Sequence, residues 1–229
     1  MRFPASEIHG RLAGGLIVSC QAYPGEPMRD PRTMAQIARA AVEGGAVAIR
    51  LQGIADIQEA ADLAVPVVGL WKCGERDVFI TPTLNHARAV ADAGADIVAI
   101  DGTRRARPDG LTLAETIAGL RETHDVLVMA DCGSLDDAVA AEAAGADYLG
   151  TTLSGYTGER PKTSGPDLEL IRLIASHCRK PIVAEGRIHS PADAAGARRA
   201  GAFAVCVGTA ITHPSTITSW YVSALGKEC

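Results

Sequence analysis

Short apolar runs alternate along this chain with alanine-rich stretches of helical period. The runs cover residues 16–20, 46–51, 67–71, 97–100, 126–130, 148–150, 181–184 and 203–207. Most are continuous and β-branched, without polar alternation, which is the pattern of parallel strands covered on both faces. Between them the period predicts helices over 32–43, 84–93, 112–123, 134–144, 167–177 and 190–200. Ser134 and Ser190 stand at helix starts, and Ser190 is followed by Pro191 and then Asp193, a capping arrangement. Gly-Ala recurs at Gly45-Ala46, Gly94-Ala95, Gly145-Ala146 and Gly201-Ala202, each time closing a helix and opening a strand. The interval of about 50 residues is the length of two βα units, so the chain carries a four-fold echo of a βαβα module. Eight strands in alternation with helices, with no linker or break in composition, predict one (β/α)8 TIM barrel spanning 1–229 as a single domain. The competing doubly wound sheet would carry a glycine-rich nucleotide turn after its first strand, and residues 20–25 contain no G-x-G-x-x-G.

In a barrel the carboxyl ends of the strands converge on one mouth, so residues distant in sequence form one site. Around that mouth the chain places Gln21, Arg50, Lys72, Asp101, Asp131, Thr151 with Thr152, Glu185 and Gly208. Any one of these is equally readable as a satisfied structural group. Together they concentrate charge where it is costly unless used. Lys72 ends an apolar run, and an ammonium partly withdrawn from water is disfavoured, which brings its amine form within reach of proton-transfer chemistry. The loops holding Gly186 and Arg187, and Gly208 and Thr209, follow the seventh and eighth runs. Loops at those places in a barrel cradle phosphate on backbone N–H groups. A phosphate anchor facing a lysine and a carboxylate suits proton transfer beside a carbonyl, with a base for the carbon acid and an acid for the enolate oxygen.

Composition narrows the classes. The 229 residues carry a net charge of −5, which advertises no face for nucleic acid or anionic membrane. No apolar run reaches the roughly 20 residues of a membrane helix, and the first residues lack a signal-peptide core, so a cytoplasmic enzyme is expected. The six histidines form no H-x-H or H-x-x-x-H pair and no metal or cofactor is expected. The six cysteines form no C-x-x-C pair; reduced, mostly packed thiols are expected, with Cys229 as an exposed one.

Seven segments in order, residues 15–22, 48–50, 69–72 with 78–83, 130–132, 151–157, 184–188 and 207–212, resemble the N-acylmannosamine-6-phosphate 2-epimerase family over about residues 6–222. The resemblance implies a cofactor-free enzyme that interconverts N-acetylmannosamine 6-phosphate and N-acetylglucosamine 6-phosphate in sialic acid catabolism. It implies Lys72 as proton carrier at C2 and Glu185 as the second acid or base, acting on the carbonyl or ring oxygen. Gln21, Arg50 and Asp131, with Thr152, would hold the sugar and its acetamido group. Gly186, Gly208 and neighbouring backbone would hold the phosphate, assisted by Arg187 and Thr209. Two departures stand out: a shorter loop after Lys72, and His213 where members often carry arginine, which weakens phosphate attraction. Alternatives are another phosphate-binding barrel enzyme, a Schiff-base role for Lys72, and a non-catalytic barrel that only binds an amino-sugar phosphate. The stretch 217–225 reads as an eighth helix packed on its own barrel or exchanged with a neighbour in a homodimer.

Overall fold

A computed structural model describes residues 2–74 and 77–226. Eight parallel strands close in sequence order into a barrel: β1 (Leu16–Cys20), β2 (Ala48–Gln52), β3 (Val67–Leu70), β4 (Ile97–Asp101), β5 (Leu127–Asp131), β6 (Tyr148–Gly150), β7 (Ile182–Glu185) and β8 (Ala204–Val207). The helices are α1 (Ala5–Leu12), α2 (Pro31–Glu43), α3 (Ile54–Glu59), α4 (Leu84–Asp92), α5 (Leu113–Arg121), α6 (Leu135–Ala143), α7 (Leu168–His177), α8 (Pro191–Arg199), α9 (Thr209–Thr212) and α10 (Pro214–Ala224). The expected (β/α)8 architecture is the one observed.

The two-residue step of a strand sorts its side chains. Ile49, Leu51, Val98, Ile100, Val128 and Ala130 point outward into the core shared with the helices. The alternate positions, Ile17, Ala48, Val68, Met129, Val183 and Cys206 among them, fill the barrel interior. The recurring glycines close α2, α4, α6 and α8, and Gly45, Gly94, Gly145 and Gly201 all have positive φ, between 95° and 113°. A side chain at that φ would strain the turn, which is why the repeat marks every even strand. Ser134 and Ser190 cap α6 and α8 by accepting from Asp137 N at 3.2 Å and Asp193 N at 3.1 Å.

Three details differ from expectation. Asp101, Asp131 and Glu185 are the last residues of β4, β5 and β7, not the first of the following loops, because the ladder continues through the first polar side chain. α3 was not anticipated, being too short to show a period. Nor was α1, whose Ile8 and Leu12 pack into the interior cluster and close the barrel at the amino ends of its strands. That floor is pinned by Arg2, which spans Ala61 O, Leu63 O, Val65 O and the buried carboxylate of Asp96.

Cys20, Cys132 and Cys206 are buried, Cys178 is half-buried and Cys73 exposed, all as free thiols. Cys229, expected to be exposed, lies outside the described residues, as do Glu75 and Arg76 in the loop after Lys72. Among the described residues no helix is long and apolar enough to cross a membrane.

Candidate active site

The carboxyl ends of the strands open into a cavity of about 470 Å³. Why these particular residues line it follows from strand phase. Ala48 points inward, so Arg50 does; Val68 and Leu70 point inward, and Lys72 continues the step. Met129 leads to Asp131, Tyr148 and Gly150 to Thr152, Val183 to Glu185, and Cys206 to Gly208. The first strand adds Ser19 and Gln21 on the same rule. Of the ten residues expected to act on or hold the sugar phosphate, nine border the cavity, and Asp131 lies fully buried behind Arg50.

Arg50 is the centre of the charge network. Its side chain reaches across the barrel, placing Nη2 2.7 Å from Asp131 Oδ2 and Nη1 3.2 Å from Oδ1 and 2.9 Å from Glu185 Oε2. Burial opposes its cation, but Asp131 and Glu185 outweigh that and hold its pKa above the ordinary guanidinium value. Thr152 Oγ1 donates to Asp131 Oδ1 at 2.7 Å and also lies 3.2 Å from Glu185 Oε2, so one hydroxyl spans the two carboxylates. Space for this arrangement comes from Gly150: a Cβ there would lie 2.8 Å from Asp131 Oδ1 and 3.3 Å from Thr152 Oγ1.

Glu185 has a raised pKa. Burial drives it up, Arg50 pulls it down, and the neighbouring Asp131 pushes it up again. Its protonated form therefore persists above the usual carboxylate range, which suits an acid that donates to a developing oxyanion. The Cys206 thiol, hydrogen-bonded to Glu185, is itself held well above the ordinary thiol value, chiefly by burial.

Lys72 sits two residues beyond β3, held by an antiparallel bridge to Ile80 in which Cys73 N donates to Phe79 O at 2.9 Å and Thr81 N to Trp71 O at 2.8 Å. Its Nζ donates to Gln21 Oε1 at 2.7 Å and to Tyr23 Oη at 3.0 Å, and lies 4.9 Å from the Tyr23 ring centroid.

On the opposite side of the mouth stand Gly186, with φ 106°, and Gly208, which opens α9. Helix first-turn N–H groups have no intrahelical acceptor, so Thr209 and its neighbours have amides to offer. The Arg187 guanidinium is turned elsewhere: it donates to Ser154 O at 2.8 Å, Gly165 O at 3.1 Å and Thr163 Oγ1 at 3.2 Å, fastening the loop after β6. His213 borders the cavity with its ring held between Glu26 Oε1 at 2.8 Å and Thr216 Oγ1 at 2.7 Å. Asp101, a strand-end carboxylate as well, does not border the cavity. Thr103 and Arg105 occupy its oxygens and Arg107 its carbonyl, the structural reading of that residue.

Sequence reasoning passed over Ser19, Cys206, Tyr23 and Tyr156, all of which line the cavity. The inward step would have found Ser19 and Cys206. No periodic signal reaches Tyr23 and Tyr156, which stand on loops.

Comparison with known proteins places this geometry. Residues 34–227 match the family described as "Putative N-acetylmannosamine-6-phosphate epimerase". A Cutibacterium acnes protein named "Putative N-acetylmannosamine-6-phosphate 2-epimerase" is 60% identical over 217 residues, covering 93% of this chain and 95% of its own. A protein of the same name from Caldanaerobacter subterraneus is 47% identical over 97% of this chain and 95% of its own. The solved N-acetylmannosamine-6-phosphate 2-epimerase from Clostridium perfringens superposes with a TM-score of 0.92 at 33% identity, covering 97% of this chain and 98% of that one. A thiamine phosphate pyrophosphorylase from Pyrococcus furiosus, at 21% identity and a TM-score of 0.59, shares the fold alone. With the match running through nearly the whole chain, this protein belongs to the N-acetylmannosamine-6-phosphate epimerase family.

Proposed function

We propose that the chain interconverts N-acetylmannosamine 6-phosphate and N-acetylglucosamine 6-phosphate by removing and returning the proton at C2 of the open-chain sugar. The observation that carries this is the meeting of Lys72 Nζ and the Glu185 carboxyl on one cavity, with the Arg50–Asp131 pair behind it. In its amine form Lys72 takes the C2 proton, and the electron pair of that C–H bond moves through C1 onto the carbonyl oxygen. Glu185, its pKa raised chiefly by burial, donates in its protonated form to that oxygen, and the Arg50 cation lowers the energy of the enolate. Lys72, now an ammonium, gives a proton to the opposite face of C2 once the enol has turned that face toward Nζ, which re-forms the aldehyde as the epimer while the enol O–H proton returns to Glu185. Gln21 and Thr152 supply polar contacts for the sugar, and the Gly186 and Gly208 loops take the phosphate on backbone N–H groups.

The test is proton NMR of N-acetylmannosamine 6-phosphate incubated with the protein and a chelator in deuterated water. The gluco epimer with deuterium at C2, abolished in Lys72→Ala, is the expected result. Binding without turnover would replace this reading with that of a sugar-phosphate-binding barrel. The homodimer reading rests on α10, which buries none of its side chains and exposes Trp220 and Tyr221. Sedimentation at micromolar concentration tests it, and a monomer would end it.

A further inference from the structure

We propose that Tyr23 is a positioning residue for Lys72, fixing the direction in which its exchangeable proton points; this rests on the epimerase reading above and deepens it. A lysine ammonium has three N–H directions. Gln21 Oε1 accepts one at 2.7 Å and Tyr23 Oη a second at 3.0 Å, and the third meets no protein partner among the described residues. Tetrahedral geometry then sets the remaining direction. When the nitrogen is loaded, that direction carries the proton to be given; when it is unloaded, the two other N–H groups stay on the same acceptors and the lone pair takes the vacant place. One holder thus serves both halves of the proton cycle. The Tyr23 ring face, 4.9 Å from Nζ, adds attraction for the charged state.

Tyr23 is 48% exposed, so core packing does not fix it. Glu26 does. Its Oε2 accepts from Tyr23 N at 2.7 Å while its Oε1 meets His213 Nε2 at 2.8 Å, and His213 Nδ1 meets Thr216 Oγ1 at 2.7 Å. The loop after β1 is thereby tied to the start of α10, and the proton carrier's holder is anchored to the segment that follows Gly208. An exposed tyrosine with its hydroxyl on the candidate base and its backbone clamped by a carboxylate is a built contact, and no packing need accounts for it.

Tyr23→Phe keeps the ring and removes the acceptor. We expect kcat to fall about 10-fold with KM within about 3-fold of wild type, the loss of one charge-assisted hydrogen bond that orients a reacting group. The primary isotope effect on kcat with C2-deuterated substrate should grow, because a misdirected carrier slows the proton step itself. Tyr23→Leu, which also removes the ring, should fall further. Unchanged kcat and isotope effect in Tyr23→Phe would overturn the proposal, as would a raised KM with kcat intact, which would make Tyr23 a binding contact. A wild-type protein that forms no gluco epimer would overturn both this proposal and the epimerase reading.

Discussion

Two arginine–aspartate pairs, each with a buried carboxylate, stand at opposite ends of the barrel. At the floor, Asp96 accepts from Arg2 N, Nε and Nη2 at 2.8, 3.2 and 2.7 Å and from Val67 N at 2.9 Å, and the other guanidinium donors of Arg2 end on backbone carbonyls. That network is saturated. At the mouth, Arg50 divides its donors between Asp131 and Glu185, and its buried Nε has no partner among the described residues. The two networks differ in that one has spent its hydrogen-bonding capacity on the chain and the other has a buried donor left over.

That contrast predicts opposite dissociations of stability and activity. Lys72→Ala should lower kcat on the order of 10³-fold while the urea midpoint stays unchanged; near-normal epimerisation in that variant would remove Lys72 from the mechanism. Glu185→Gln should cost about 10²-fold. It should also erase one limb of the pH profile: with Glu185 donating from a raised pKa, wild-type kcat falls as pH rises through that value, and glutamine has nothing to titrate there. At the floor the outcome reverses. Arg2→Ala removes both guanidinium donors from the buried Asp96 carboxylate, leaving it only the backbone N–H groups of residue 2 and Val67, and should destabilise the fold by about 2 kcal/mol, roughly 30-fold in the folding equilibrium, with kcat unchanged. Lost activity in that folded variant would break the comparison. Ser190→Ala, which removes the cap of α8, should cost about 1 kcal/mol and leave kinetics alone, the smallest of these effects.

A further distinction concerns acid. Burial alone would raise Asp167, but hydrogen bonds from Arg160, Ser154 and Leu170 N outweigh it and hold its pKa below the usual value. The stability it contributes is present above the unfolded pKa, about 4, and is lost as pH falls through the lower folded one. The urea midpoint of Asp167→Asn should therefore converge on that of wild type as pH drops below about 4; a gap that stays constant with pH would contradict this account.

The eight strands were legible because a strand covered on both faces leaves a continuous apolar run, and the even ones are announced by a glycine that must turn left-handed. The candidate site was legible for a narrower reason: Arg50, Lys72, Asp131 and Glu185 interrupt those runs with charge, and parity along the strand puts them inside. α1 escaped because it is only eight residues long and buries just Ile8 and Leu12, which seal the floor, and it stands outside the alternation of runs and helices that announces the rest. Tyr23 and the Glu26–His213 link escaped because loop contacts are made in three dimensions and leave no spacing in sequence. Arg187 reads in sequence as a charge for phosphate, but its guanidinium holds the loop after β6.

Gly150 gives this centre a signature that can be read without coordinates. A single methyl added at the last residue of β6 would overlap the Asp131 carboxylate, a centre it could disable without altering any charged group. Across genomes, a barrel of this kind with alanine at that position is therefore a candidate for inherited architecture put to another use, even with every acid, base and arginine still in place.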